Sequence, residues 1–233
     1  MAEAWAAEQL YCANCESPYL ERLRTNTAAK DFSCPKCMAA YQLKCQGHSF
    51  GRRIMDSAYE KMVSALRGDE NLNLLALQYE KTDWRVVNLI LVPRFALPIS
   101  AIEKRKPLGP GAERAGWVGC NILLDRIPQD ARIPIVREGR ARTRAEVREA
   151  YRRLRPLEKL KAEKRGWTLD VLNVVDSLKK EEFELADVYA HEHTLARLHP
   201  ENRHVRDKIR QQLQVLRDLG RVEFLGSGNY RLT

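Results

Sequence analysis

Between Lys30 and Cys45 the chain reads KDFSCPKCMAAYQLKC, and most residues capable of chemistry in its first half gather there. Asp31 precedes the run Gln42-Leu43-Lys44 by eleven positions, with Cys34 and Cys37 between. An Asp in one strand and an x-x-Lys in the next can build a magnesium site for phosphodiester chemistry. The Asp and the residue two before the Lys hold the metal, while the ammonium orients the attacking water and stabilises charge at the phosphate. On this pattern Asp31, Gln42 and Lys44 are candidate catalytic residues, and the CPKC turn joins their strands.

The cysteines carry a sharper message. Cys12-Ala13-Asn14-Cys15 and Cys34-Pro35-Lys36-Cys37 are two C-x-x-C knuckles separated by 18 residues, the spacing of a four-thiolate zinc site. Four thiolates close the tetrahedral shell and leave no open position, so this zinc is expected to be structural. Cys45 and Cys120 fit no such spacing and read as buried small hydrophobes.

Positioning these groups takes a sheet. Asn73 to Tyr79 and Val86 to Val92 are apolar runs suited to buried strands joined by a hairpin. With the strands around Asp31 and Gln42 they predict a mixed α/β sheet, closed by a short strand over Ala131 to Val136. Residues 1 to 11 suit a short helix leading into the first knuckle. Ile54, Ala58, Met62 and Ala65 or Leu66 recur at helical spacing, so one amphipathic helix is expected over Gly51 to Gly68. Pro93 to Arg132 is rich in proline and glycine and reads as loop. Within it Arg114 and Trp117 sit among basic residues and glycines, either as a DNA-contacting segment or as a loop anchored by a core tryptophan.

At 233 residues the chain allows one large domain or a domain with a small appendage. The formal net charge of +9 favours an anionic partner. Much of the excess lies between Arg137 and Arg165, where twelve Lys or Arg face five Glu, and this stretch reads as a phosphate-facing helix or linker. No apolar run approaches 18 residues and no basic-then-apolar leader precedes the first knuckle, so neither a membrane span nor a secretory signal is expected. Paired thiols with metal spacing then argue for a reducing cytoplasm.

Beyond Arg165-Gly166 a second domain is expected. Leu169, Leu172, Val175 and Leu178 form one helical stripe, Phe183 to Leu198 a second helix, and Val205, Ile209, Leu213 and Leu216 the inner face of a third, ended by Gly220. Val222 to Phe224, the turn Gly226-Ser227-Gly228 and Tyr230 to Leu232 complete a winged helix. Its third helix is the expected recognition helix. Arg203, Arg206, Lys208, Arg210, Gln211, Gln212 and Gln214 offer an outer face suited to base reading, since Arg matches guanine and Gln matches adenine.

In YCANC, DFSCPKC, the QLK after it, RKPLGPGAERAGWVGCNI, RGWTLDVLN and KIRQQLQVLRD, the chain resembles the methyl-directed restriction endonucleases of the DpnI-like, Dam-replacing family, in order along nearly its whole length. The resemblance implies a PD-(D/E)xK nuclease domain with a zinc site over 1–162 and a winged helix over 163–233. It implies magnesium-dependent cleavage of double-stranded DNA at GATC carrying N6-methyladenine, in a bacterial cytoplasm. Asp31, Gln42 and Leu43 would hold magnesium, Lys44 would be the catalytic lysine, and Cys12, Cys15, Cys34 and Cys37 would hold zinc. Trp117, an apolar surface of the right size, is the candidate reader of the methyl groups. A monomer is expected. One position departs from the family pattern: Gln42 stands where Glu is usual. Either an acid such as Glu8, Glu16 or Glu60 makes up the missing charge, or activity is reduced. The other class of function compatible with a zinc knuckle and a winged helix is a non-catalytic DNA-binding regulator. Asp31 and Lys44 favour the nuclease, because a regulator has no need of both.

Overall fold

The computed structural model describes residues 2–24, 30–68 and 72–233. Helix α1 (Ala2–Gln9) leads into the first knuckle, and the short strands β1 (Glu21–Arg22) and β2 (Phe32–Ser33) precede β3 (Ala40–Gln46). Strands β5 (Asn73–Tyr79) and β6 (Val86–Val92) coincide with the two apolar runs, and β9 (Ile133–Arg137) and β10 (Arg140–Ala141) complete a seven-stranded sheet of order β1-β2-β3-β5-β6-β9-β10. It is mixed: β3 runs parallel to β5, while the other pairings are antiparallel. Leu74, Leu75, Ala76 and Leu77 on β5 are all buried, as befits a central strand covered on both faces.

Gly51 to Gly68 is not a single helix. It divides into β4 (Arg53–Ala58) and α2 (Tyr59–Arg67). The spacing of four between Ile54 and Ala58 is an even number, so it puts both on one face of a strand as readily as of a helix. The stretch from Pro93 to Arg132 is likewise more ordered than its prolines suggest. It contains β7 (Ile102–Lys104) and β8 (Gly119–Leu123), which join β4 in a second sheet of order β4-β8-β7. The register sets Asp56 opposite Cys120. Cys120 is buried as expected, whereas Cys45 is exposed.

Helix α3 (Arg144–Leu154) starts at a capping box, with Thr143 accepting from the Glu146 amide and Glu146 accepting from the Thr143 amide. Helix α4 (Ala162–Leu178) follows, and Arg165-Gly166 lies inside it. Next come β11 (Glu182–Glu184), α5 (Leu185–Tyr189) and α6 (Glu192–Leu198). The single helix expected over Phe183 to Leu198 is therefore a short strand and two short helices. Helix α7 (Val205–Asp218) buries Val205, Ile209, Leu213 and Leu216 as anticipated. It ends in a Schellman motif: the Arg221 amide donates to the Leu216 carbonyl at 2.8 Å and Gly220, at φ +66°, donates to Arg217 at 2.8 Å. Strands β12 (Val222–Gly226) and β13 (Asn229–Leu232) form the wing, and β13 pairs with β11.

Candidate active site, zinc centre and DNA-facing surfaces

Alternation along β3 gives its two faces different duties. Tyr41 is turned toward the knuckles, where its hydroxyl lies 3.3 Å from Cys12 Sγ and accepts from the Ala13 amide at 3.2 Å. Gln42 and Lys44 share the other face and meet β4. Gln42 Nε2 donates to Asp56 Oδ1 at 3.3 Å, and the Lys44 ammonium pairs with the same oxygen. Asp31 comes in from the strand edge. Just beyond the last β2–β3 pairing, its Oδ2 accepts the Leu43 amide at 2.7 Å. Asp31, Gln42 and Lys44 thus gather around three consecutive residues of one strand, with Asp31 and Lys44 reaching them from different directions.

Sequence reasoning missed Asp56. It carries no motif spacing, and only the approach of β4, in the second sheet, to the Gln42–Lys44 face of β3 brings it into place. Its side chain is 0% exposed, and its Oδ2 is buried with no hydrogen-bond partner among the described residues. The acids considered as substitutes lie elsewhere. Glu16 pairs with Arg148 on the knuckle at 2.7 Å, Glu60 is 3.8 Å from Lys104, and Glu8 is exposed on α1. Near the site, burial and the Asp56 charge push the Cys120 thiol up to about 11. Asp31, Gln42 and Asp56 offer carboxylate and carboxamide oxygens, a hard donor type that suits magnesium.

The four knuckle cysteines converge, with all sulfurs within 4.8 Å of one another. Cys12 and Cys37 are 3.6 Å apart and Cys15 and Cys34 3.5 Å, close to the roughly 3.8 Å edge of a tetrahedron with 2.3 Å zinc–sulfur bonds. The amides of Lys36 and Cys37 both donate to Cys34 Sγ at 3.4 Å, and Asn14 Nδ2 donates to Cys37 Sγ at 3.4 Å. Burial opposes ionisation of Cys34, but the two amides together with the Cys15 and Cys37 side chains outweigh it and lower the thiol to about 6. Burial raises Cys12 and Cys15. A dication would reverse that preference, because zinc deprotonates the thiols it binds. The cluster fits zinc in geometry and in donor type.

Arg148 on α3 clamps this centre from the outside. Its guanidinium donates to the carbonyls of Cys12 at 3.1 Å and Ser17 at 3.0 Å and to Glu16 at 2.7 Å. Arg148 is therefore occupied by the protein, not held out for phosphates. Arg165, also counted in the basic stretch, is buried and donates to the Leu160 carbonyl at 3.0 Å. Arg144, Arg152, Arg153 and Arg155 remain exposed.

Trp117 lies in the loop between β7 and β8, which its own backbone closes. Trp117 carbonyl accepts from Leu108 and the Leu108 carbonyl from Gly116, both at 2.9 Å. The ring is half-buried, with the Arg114 guanidinium 4.8 Å from its centroid on one side. The ring also lies across Gly119, where an added Cβ would sit 2.8 Å from two ring atoms. Gly119 thus makes room for the indole. Trp117 is neither a core anchor nor a free surface residue.

In the C-terminal part Arg203, Arg206, Arg210, Gln211 and Gln214 are exposed and Lys208 is half-buried. Arg206 donates to Glu192 on α6 at 2.7 Å and lies over the Tyr189 ring, as does Arg210. Gln212 does not join them. It is fully buried and accepts from the Thr168 hydroxyl at 2.7 Å, tying α7 to α4.

A helix-turn-helix with a cationic outer face and a β-hairpin wing is built to dock on duplex DNA, so the molecule is a DNA-binding protein with a mixed α/β domain braced by a thiolate cluster. Residues 1–160 match the family model described as the Dam-replacing family, DpnI, and residues 163–232 that of the Dam-replacing HTH domain. The chain belongs to this family and is a restriction nuclease of its methylation-dependent kind. Among the described residues no helix is long and apolar enough to cross a membrane.

Proposed function

We propose that the protein cleaves both strands of duplex DNA at GATC sites whose adenines carry N6-methyl groups, by magnesium-assisted hydrolysis in a PD-(D/E)xK-type site. The observation that supports this most is the meeting of Asp31, Gln42 and Lys44 at one strand of a mixed sheet. Asp31, Gln42 and the Leu43 carbonyl would hold magnesium, which when bound polarises the scissile phosphate and lowers the pKa of the attacking water. The Lys44 ammonium would face the phosphate oxygens and stabilise the charge that develops there. The Leu43 amide, donating to Asp31, holds that side chain at the strand edge. The knuckle cysteines would hold zinc as a brace for β3, with no part in the chemistry. The reading extends to domains over 1–162 and 163–233, both contacting DNA in a bacterial cytoplasm.

The test is incubation of methylated and unmethylated GATC plasmid with Mg²⁺, read on a gel. Only the methylated plasmid should be cut. Asp31→Asn and Lys44→Ala should each lower the cleavage rate by about a hundredfold or more, the scale expected when a charge-stabilising group is removed, with binding to methylated duplex largely kept. Tight binding without any cleavage by the wild-type chain would instead support a regulator.

A further inference from the structure

We infer that Asp56 is the second carboxylate of the cation site, taking the place of the acid that position 42 lacks. The inference rests on reading Asp31 and Lys44 as the site, and it adds a ligand that no family motif points to.

Three observations converge on Asp56. Its side chain is entirely buried, a costly setting for a carboxylate unless cations and donors surround it. One oxygen is well provided, with the Lys44 ammonium and the Gln42 amide on Oδ1. The other, Oδ2, is buried with no hydrogen-bond partner among the described residues. A single ammonium shared with an amide answers half of this group's needs, and a divalent cation is the partner that answers the rest.

The identity of residue 42 supports the same conclusion. Gln42 turns its amide nitrogen toward Asp56, because its oxygen there would oppose the carboxylate. That orientation leaves Oε1 as the atom free to face a metal. A glutamate at 42 would set two carboxylates about 3 Å apart in a buried place, where both can ionise only beside a cation. Gln42 and Asp56 are thus matched: the carboxamide removes the repulsion, and the acid on β4 keeps the site's negative charge. Asp31 from the strand edge and Asp56 from β4 then supply two charges for one dication.

Manganese binding to the full-length protein, followed by electron paramagnetic resonance, tests this without reading activity. Asp56→Asn and Asp31→Asn should each weaken binding by roughly tenfold to a hundredfold, and the double variant Gln42→Glu/Asp56→Asn should regain most of what Asp56→Asn loses. If Asp31→Asn weakens binding and Asp56→Asn does not, or if the carboxylate at 42 restores nothing, the inference about Asp56 is overturned while the site stands. If neither aspartate matters, the site itself is misplaced. Should Asp56→Asn fail to fold, Fe²⁺ with ascorbate and peroxide on the wild-type chain decides. Backbone cuts next to 31, 42–44 and 56 are expected, and cuts at 31 and 42–44 without one at 56 would refute the role.

Discussion

At the scale of single residues the most exacting task under the proposed function is to tell a methylated adenine from an unmethylated one. The methyl group adds one apolar carbon in the major groove, so the discriminating surface must be apolar and held at a set depth. Trp117 would meet that need, since its ring is held by the Arg114 guanidinium and by packing against the bare backbone of Gly119. Burying a methyl is worth about 0.8 kcal/mol, so two methyls on opposite strands give roughly tenfold to twentyfold preference. Trp117→Ala should therefore lose about that factor in the ratio of cleavage rates on methylated and unmethylated duplex. Gly119→Ala is the finer test. It keeps the indole but pushes it off its seat, and the same preference should fall although no polar group or charge has changed. A Gly119→Ala enzyme with undiminished preference would mean that the ring's position does not matter to methyl sensing.

At the scale of elements β3 is the hinge of the design, with the knuckles against its Tyr41 face and the candidate site on its Gln42–Lys44 face. Helix α3 joins in through Arg148, whose side chain is only 13% exposed and which holds two knuckle carbonyls. Hydrogen bonds from a charged donor contribute about 1.5–3 kcal/mol each at most sites. Arg148→Ala should lower stability to urea by about 2–3 kcal/mol and speed the release of zinc to a chromogenic chelator. Full removal of zinc should unfold the N-terminal part, since metal binding and folding are one free energy in such sites. Unchanged circular dichroism and activity after complete zinc loss would contradict that. These elements were unequally legible in the sequence. Strands β5 and β6 stood out as unbroken apolar runs, and the knuckles as a spacing. Strand β4 did not, because its inward residues, Ile54 and Asp56, include a carboxylate that breaks the apolar alternation, and because Ile54, Ala58 and Met62 also satisfy a helix. Asp56 went unseen for the same reason: its importance lies in the meeting of two sheets, which leaves no mark on spacing along the chain. Strands β7 and β8 were hidden by the glycines and prolines of the loop between them.

At the scale of the whole molecule α4 belongs to two cores. Leu169 packs with the N-terminal core, while Trp167, Val171, Leu172, Val174 and Val175 pack with the C-terminal one. Asp170, nearly buried, pairs with Ser100 on one side and with His199 at 2.8 Å on the other, and His199 stacks on Trp167 at 3.7 Å. Polar links from Asn173 to the Asp125 carbonyl and from the Gln129 amide to Asp176 extend the seam. Helix α7, the recognition helix of the proposed reading, rests on this same α4 through Gln212 and Thr168. DNA engaged by α7 would therefore be connected to the N-terminal core through one helix, yet none of the α7 cations belongs to the cluster of Asp31, Gln42 and Lys44. That separation predicts a division of labour that kinetics can read. Arg206→Ala and Arg210→Ala should weaken binding of full-length protein to methylated duplex. Each lost phosphate contact should reduce the slope of log affinity against log salt by about 0.9. A residue that reads a base should instead relax preference at one position, at a cost of roughly 1–3 kcal/mol. In both cases KM should rise while kcat at saturating DNA stays near the wild-type value. If kcat falls as steeply as affinity, α7 must act on the chemical step itself, and the division between a docking domain and a cleaving domain fails.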